Sequence, residues 1–149
     1  MTKKELQEEL KQSMLAKNTE KTSVLRMLIS AIGYFEIQKG GAGYQASEED
    51  VQAVVQKEVK QRKDSIEQFQ NAGRQELVDK EQKELEMLQT YMPAQMSEDE
   101  VRIIVKETIS STGISSMADM GKLMGAIMPK VKGKADGNLV QKIAKEELS

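Results

Sequence analysis

Apolar residues recur at intervals of three and four positions along most of the chain, which is the spacing of one face of an α-helix. Near the start, Leu6, Leu10 and Met14 follow this spacing. Before them, Thr2 and Glu5 have the types and separation of a capping box, in which two residues satisfy free backbone N–H groups at a helix start. The pattern therefore predicts a short first helix that ends soon after Met14.

A second helix is predicted to run to about Lys39. Its apolar positions occupy nearly every side of the helical cylinder, which favours a central and largely buried position. These positions are Val24, Leu25, Met27, Leu28, Ile32, Tyr34, Phe35 and Ile37. The glycine-rich segment 40–43 follows, and we expect a loop of variable conformation there.

Two further helices are predicted after this loop. Ser47 and Asp50 form another capping pattern at the start of the third helix, which is expected to end near Ala72. The fourth helix is expected over residues 74–92, where Pro93 stops it because proline lacks the backbone N–H that a helix interior needs.

Three more helices are predicted in the last third of the chain. One opens at a further capping box that starts at Ser97. A methionine-rich helix comes next; Ser115 or Ser116 is expected to cap it and Pro129 to end it. Asp136 is expected to cap the last helix.

The fold class predicted from these patterns is all-α, with a four-helix N-terminal lobe followed by a three-helix C-terminal lobe. The boundary is expected near residues 91–95, which divides the chain into helical domains 1–92 and 93–149. Aromatic residues make up only 3% of the chain. Because aromatic and β-branched runs are typical of strands, a strand-rich fold is disfavoured.

The absence of two residue types limits the chemistry of the chain. Cysteine and histidine do not occur, so the chain has no disulfide, no thiolate nucleophile and none of the commonest zinc ligands. We therefore expect no catalytic residue, no metal and no cofactor. The start of the chain lacks a secretory signal, and no apolar run reaches ~18 residues. A cytoplasmic protein that does not bind membranes is expected.

Charge is distributed unevenly although the net charge is only −2. Residues 76–100 contain eight acidic and two basic residues, whereas residues 120–145 contain six lysines and one aspartate. This asymmetry is compatible with an anion-binding surface in the C-terminal third. Two solvated faces of opposite sign would give the same pattern.

The basic positions cluster around the segment that follows Pro129. If this segment is extended, Lys130, Lys132 and Lys134 point to the same side, and in a helical turn Lys130 and Lys134 still share a face. The alternative is a solvated lysine turn. The residues that we predict to bind RNA are Lys122, Lys130, Lys132, Lys134, Gly125, Gly133, Lys142 and Lys145.

The methionine-rich helix carries two further signals. Met117, Met120, Met124 and Met128 share one side, which favours a core stripe over a docking groove. Gly121 and Gly125 lie one turn apart beside that stripe, and glycine destabilises a helix interior by roughly 1 kcal/mol relative to alanine. Close helix packing is the favoured explanation for the pair, and close approach of a ligand is the alternative.

A charged group also interrupts the apolar faces of the N-terminal lobe. Glu58 and Arg62 lie in the apolar sector of the third helix, and Glu81 and Glu84 in that of the fourth. Because unpaired charges are costly in a core, we predict a cross-helix network that joins Arg62 to Glu81 or Glu84. A carboxylate metal site is the alternative, which the absence of histidine disfavours.

Three blocks of the sequence resemble the YqeY protein family. They are residues 61–77, 81–96 and 121–140, and the last of them reads GKLMGAIMPKVKGKADGNLV. This last block is also similar to the tail domain of the GatB subunit of glutamine-dependent Asp/Glu-tRNA amidotransferases. The resemblance implies two helical domains. The positions that match the tail domain are Gly125, Met128, Lys132, Gly133, Lys134 and Ala135.

The resemblance also implies a function class. In those amidotransferases the tail domain helps to hold the tRNA, while the chemistry belongs to other domains and subunits. A carbon–nitrogen ligase activity with glutamine as amido-N-donor is therefore implied by domain membership alone, and we expect no catalysis by this chain by itself.

Three functional hypotheses follow. The first is a tRNA-binding module without DNA specificity. The second is a protein-interaction module that docks on an amidotransferase or another translation protein. The third is an amidotransfer enzyme that acts only within a larger complex.

Overall fold

A computed structural model describes all residues from Met1 to Ser149 and confirms the all-α fold class. Seven α-helices follow one another, and a short 3-10 turn at Met117–Asp119 precedes the sixth. No helix has the length and apolar character needed to span a bilayer. The helices are α1 (Lys3–Leu15), α2 (Thr19–Gly40), α3 (Glu48–Asn71), α4 (Gln75–Gln89), α5 (Glu98–Thr112), α6 (Met120–Val131) and α7 (Gly137–Leu148).

Local capping explains where three of these helices begin. The side chains of Thr2, Ser47 and Ser97 each accept a hydrogen bond from the backbone N–H three residues later. In return, the acidic residue at that later position accepts a hydrogen bond from the backbone N–H of the cap residue. All three predicted capping boxes are therefore confirmed.

Two predicted helix ends are wrong. α4 ends at Gln89 rather than near residue 92, because turn hydrogen bonds already replace the helical pattern at Thr90 and Tyr91. α6 continues through Pro129 to Val131. Proline removes one backbone hydrogen bond but its fixed φ is compatible with a helix, so two more residues complete the last turn. Ser116 caps the 3-10 turn rather than the helix itself.

The helices form two compact units, residues Met1–Met92 and Pro93–Ser149. In unit 1, the helices α1 and α2 pack together, α3 packs against α4, and α2 contacts both members of the second pair. The largest side chains of the unit 1 core are fully buried, and they come from three of its four helices: Leu6, Leu25, Leu28, Ile32 and Leu88.

Helix α2 contacts all three other helices of unit 1, yet it is not buried on every side. Val24, Leu28 and Ile32 lie on its inner face, whereas Tyr34 is 63% exposed and Ile37 is 65% exposed. The expected central position is thus confirmed, but the expected burial of Tyr34 and Ile37 is not. Its neighbours cover one face only, and isolated apolar side chains are common on protein surfaces.

Two buried carboxylates hold residues 44–47 at the end of the loop after α2, whereas the variable conformation of segment 40–43 stays a prediction. Glu36 accepts hydrogen bonds from Lys3 Nζ at 2.5 Å and from the Ala46 N–H at 2.8 Å. The hydrogen bond from Lys3 and that from the Ala46 N–H lower the pKa of Glu36. This carboxylate thus ties α1 and the end of the loop to α2.

Asp50 fixes the other side of the loop. It accepts hydrogen bonds from Lys39 Nζ at 2.6 Å and from the Tyr44 hydroxyl at 2.5 Å. These two contacts, with the Ser47 N–H, lower the pKa of Asp50, and Asp50 raises the pKa of Lys39. The Lys39 ammonium also lies 5.2 Å from the centre of the Tyr44 ring, within the range of a cation–π contact.

The predicted charged network between α3 and α4 is confirmed. Arg62 Nη1 donates to Glu81 at 2.5 Å and also pairs with Glu84. Its other terminal nitrogen contacts the Met27 sulfur at 2.8 Å. Only 14% of the Arg62 side chain is exposed, so the two carboxylates offset the loss of its hydration.

Unit 2 has an apolar core built by α5, α6 and α7. Helix α6 contributes a fully buried ridge of Leu123, Ile127 and Val131. Met120, Met124 and Met128 flank that ridge and are partly buried, so the methionines are the edge of the core rather than its centre. The remaining core side chains come from the other two helices: Val101, Val105, Val140, Ile143 and Ala144.

Candidate functional site

The segment after Pro129 completes α6 and then forms a hydrogen-bonded turn rather than an extended strand. Lys130 belongs to the last turn of α6, Lys132 ends the helix with a ψ of 123°, and Gly133 has a φ of +78°. Positive φ is the region that favours glycine. The segment is therefore neither extended throughout nor a regular helix, and the shared face of its lysines stays a prediction.

Hydrogen bonds nevertheless fix the backbone of this turn. The Lys134 carbonyl accepts from the Met96 N–H at 2.7 Å, and the Gly133 carbonyl accepts from Gln95 Nε2 at 3.0 Å. The Lys134 N–H donates to Val131 at 2.8 Å. The start of unit 2 thus holds the lysine turn in place, a contact between distant segments that the sequence analysis did not predict.

The lysine side chains around this turn are exposed. No carboxylate lies within 4 Å of the ammonium groups of Lys130, Lys132 or Lys134, or of Lys142 and Lys145 on α7. These five ammonium groups keep their charge free for an external anion. We call the residues Lys122, Lys130, Lys132, Lys134, Lys142 and Lys145 the basic set.

Lys122, the sixth member of the basic set, has an acidic neighbour. Its ammonium lies 3.9 Å from Asp119, and the lysine side chain is 81% exposed. A pair at that distance and exposure contributes little binding energy. Lys122 therefore remains able to bind an external anion.

Arg102 engages three acids of unit 2. It donates to Glu146 at 2.7 Å and to Glu147 at 2.8 Å, and it lies 3.5 Å from Glu98. Arg102 is the main cause of the lowered pKa of Glu146, to which Lys142 also contributes. The sequence analysis missed Arg102. The sequence could have predicted only its i, i+4 pair with Glu98, since its other partners are 44 and 45 residues away.

The two interior glycines of α6 face open space. A methyl group placed on either Gly121 or Gly125 would have no atom within 4 Å outside its own helix. The favoured explanation, close packing of another helix, is therefore wrong, because the ridge that faces the core is Leu123, Ile127 and Val131. The two glycines instead leave a strip of uncovered helix backbone beside Lys122.

The basic set and this strip define what the surface of unit 2 can do chemically. Ammonium groups bind phosphate oxygens, and a helix surface without side chains permits close approach of a bulky backbone. No Phe, Tyr or Trp follows Tyr91 in the sequence, so unit 2 has no aromatic side chain on which a base could stack. The surface is suited to a polyanion recognised through its phosphates.

Unit 1 has an open groove of about 410 Å³ between α2 and α4. Two of its acids are already engaged, since Glu84 pairs with Arg62 and Glu76 with Arg74. Because its lining mixes both signs of charge, the groove does not favour one class of ligand as the basic set does. Its charged side chains are Glu20, Glu76, Asp79, Lys80, Lys83 and Glu84.

Comparison with known proteins yields a match along nearly the whole chain. Residues 3–148 match the family described as Yqey-like protein. Several similar proteins share the name "Altered inheritance of mitochondria protein 41, mitochondrial". The one from Pyrenophora tritici-repentis is 31% identical over 145 residues, which cover 95% of this chain and 77% of that protein.

Yeast proteins of the same name are also similar. The protein from Vanderwaltozyma polyspora is 30% identical over 138 residues, which cover 92% of this chain and 70% of that protein. The protein from Saccharomyces cerevisiae strain YJM789 is 38% identical over 87 residues, which cover 58% of this chain and 46% of that protein.

These names contradict the expectation of a cytoplasmic protein. All three relatives are named as mitochondrial proteins. The expectation failed because composition does not separate the two compartments. A helical chain without cysteine meets the same physical requirements for folding in either.

Proposed function

Since the chain belongs to the family of YqeY-like proteins, we propose that it is a non-catalytic module that binds tRNA through unit 2. The basic set supplies contacts to phosphates, and the uncovered strip of α6 permits the RNA backbone to come close. The resemblance of residues 121–140 to the tail domain of the GatB subunit points to tRNA among polyanions. Amidotransfer itself is not part of the proposal for this chain.

The observation that carries this proposal is the concentration of six lysines against one aspartate in residues 120–145, where five of the lysines have no carboxylate within 4 Å. An unpaired surface cation attracts a phosphate without first breaking an internal pair, so its full charge contributes to association. Binding through phosphates releases counterions and is strongly weakened by salt. The hydrogen-bonded lysine turn supports the proposal, because its backbone needs no ordering when RNA binds.

The proposal is tested by measuring the binding of a tRNA transcript to the full chain at several salt concentrations. The variant Lys130→Ala, Lys132→Ala, Lys134→Ala should lose about tenfold or more in affinity. Its salt dependence should fall by up to about three units of log K per log salt, since each lost phosphate contact removes roughly one.

Unit 1 supplies a matched control for this experiment. Lys57, Lys60 and Lys63 on α3 are exposed and without a carboxylate partner, so their replacement by alanine removes the same charge elsewhere. This control should bind tRNA within about twofold of the wild-type affinity. Equal losses of tRNA affinity in the two triple variants would show that binding depends only on the net charge of the protein, and this result would overturn the proposal.

A second candidate function is docking on a protein, an amidotransferase or another translation factor. The observation that favours it is the face of α6 and its preceding turn, where Met117 is 46% exposed and Gly121 and Gly125 are uncovered. The test is a pull-down of a protein partner after nuclease treatment. A partner that is lost in the Gly121→Gln variant but retained in the lysine triple variant would favour this function over tRNA binding.

A further inference from the structure

Thr108 has an unusual position among the polar residues of unit 2. It lies on α5 and is fully buried, and no other polar side chain of this unit is buried. Its hydroxyl donates to the Ile104 carbonyl at 2.7 Å. A threonine hydroxyl has one hydrogen and two lone pairs, so after this bond it can only accept.

Lys130 supplies the donor that this hydroxyl accepts. The Lys130 ammonium lies 3.1 Å from the Thr108 oxygen, and an ammonium group can only donate. The direction of both hydrogen bonds is therefore fixed. One N–H of Lys130 is used in this contact. Its other two remain for an anion, because no carboxylate lies within 4 Å.

The other lysines of the same turn lack such a contact. The side chains of Lys132 and Lys134 make no hydrogen bond or ion pair within unit 2. Lysine loses much rotamer freedom when its ammonium is fixed. Lys132 and Lys134 must lose this side-chain entropy when RNA binds. Lys130 has already lost part of it when the protein folds.

We propose that Lys130 is the pre-ordered phosphate contact of the basic set and that Thr108 is the residue that positions it. This inference rests on the proposed binding of tRNA. It adds that one lysine of the basic set is ordered before tRNA binds. Thr108 reaches no solvent and touches no ligand. It acts by holding one side chain in the geometry that the phosphate needs.

The test compares two replacements of Thr108 in the full chain. Thr108→Val keeps the shape but removes the acceptor, whereas Thr108→Ser keeps the acceptor. We expect Thr108→Val to weaken the binding of a tRNA transcript by about three- to tenfold, the range for ordering one long side chain. Thr108→Ser should stay within about twofold of the wild type. Circular dichroism confirms that each variant is folded.

A double-mutant cycle separates positioning from a structural role. If Thr108 acts through Lys130, then Thr108→Val should have no further effect on binding in a Lys130→Ala background. The same loss in both backgrounds would show that Thr108 acts on the fold and would overturn the inference.

A measurement on the free wild-type protein needs no variant. In nitrogen-15 relaxation of the lysine side chains, the Lys130 ammonium should be more ordered than that of Lys132. Equal mobility would overturn the inference even if Thr108→Val fails to fold.

The two proposals fail in different ways. If the wild-type protein does not bind tRNA, the proposed function is wrong and the role of Thr108 in binding is lost with it. If the wild type binds and Thr108→Val binds equally well, the positioning role alone is wrong.

Discussion

The two helical units differ in whether charged residues are buried. In unit 1, Glu36 and Asp50 are buried and Arg62 is nearly so, and each is engaged by a partner from another segment of that unit. In unit 2, the buried residues are apolar except for Thr108, and the lysines of the basic set lie on the surface. Buried charge is part of the core of unit 1, whereas the core of unit 2 holds no charged residue.

This difference teaches how to read charged residues in a helical protein. A charge that must leave water requires a partner, because its desolvation is expensive. A charge that stays in water needs none, and its potential then acts on molecules outside the protein. Arg102 shows both cases in unit 2, since this partly buried residue pairs with three acids while five exposed lysines have no carboxylate partner.

Acidification should have the largest effect on this comparison, because it discharges several engaged carboxylates of unit 1 at once. The folded-state pKa values of Glu36 and Asp50 lie below the ordinary values of 4.5 and 3.8. Folded unit 1 therefore binds fewer protons than the unfolded chain. Its stability is fully present above these ordinary values and is lost as the pH falls below them. The urea concentration at the unfolding midpoint of unit 1 should thus decrease as the pH is lowered from about 5 to about 3.

The aromatic residues make this measurement selective for unit 1. The three tyrosines and two phenylalanines all precede residue 92, so tyrosine fluorescence reports on unit 1 and circular dichroism on both units. The double variant Glu36→Gln, Asp50→Asn should be less stable near neutral pH and should lose less stability on acidification. An unchanged pH dependence in that variant would assign the effect to other carboxylates.

Loss of Arg62 should have the next largest effect. Arg62→Met leaves Glu81 and Glu84 without their partner while both are about four-fifths buried. Because some solvent reaches the cluster, the loss in the free energy of unfolding should be about 2 to 3 kcal/mol, below the range for a fully buried pair. Tyrosine-detected urea unfolding measures it.

Two further variants sharpen the Arg62 result. The triple variant Arg62→Met, Glu81→Gln, Glu84→Gln should recover most of the stability, since no unpaired charge remains. Arg102→Met is the counterpart in unit 2, where Arg102 and two of its three acidic partners are more exposed, so its effect should be smaller. A loss for Arg102→Met as large as that for Arg62→Met would contradict the contrast between the units.

Glycine replacements should give the smallest effects, and their signs should differ between the units. Gly121→Ala and Gly125→Ala meet no atom, so each should stabilise unit 2 by roughly 0.5 to 1 kcal/mol. In Gly40→Ala, the new methyl group would lie 2.7 Å from the Tyr44 side chain. This crowding should destabilise unit 1 by about 1 kcal/mol.

Thermal unfolding of the three single glycine variants measures these signs. Tyrosine fluorescence follows unit 1, and the part of the circular dichroism change that does not accompany the fluorescence change follows unit 2. The tRNA affinity of the α6 variants adds a second result. If the uncovered strip permits close approach of RNA, Gly125→Ala should be more stable and yet bind more weakly. A destabilised Gly125→Ala variant would mean that the strip is covered in solution.

Much of the fold could be predicted because its signals are local. The capping boxes at Thr2, Ser47 and Ser97 each involve residues three positions apart, and the helical spacing of apolar residues repeats within a few turns. The network around Arg62 was predicted by a different argument. A charge on an apolar stripe demands a partner of opposite sign, and the facing stripe offered two.

The candidate site could be predicted only in part. Its lysines were readable as a cluster in the sequence, but the conformation of the turn depends on hydrogen bonds from residues 95 and 96 to residues 133 and 134. The pairing of Thr108 with Lys130 and of Arg102 with Glu147 joins segments 22 and 45 residues apart. No local pattern announces such pairs.

The sequence by itself determined the helices, their caps and the placement of charge along the chain, because these follow from residues within a turn or two of one another. Only the tertiary structure decided which charges are neutralised and which remain free. That outcome depends on where the helices pack and on which side chains then lie within a few ångströms of each other. Separation along the chain does not give these distances in space.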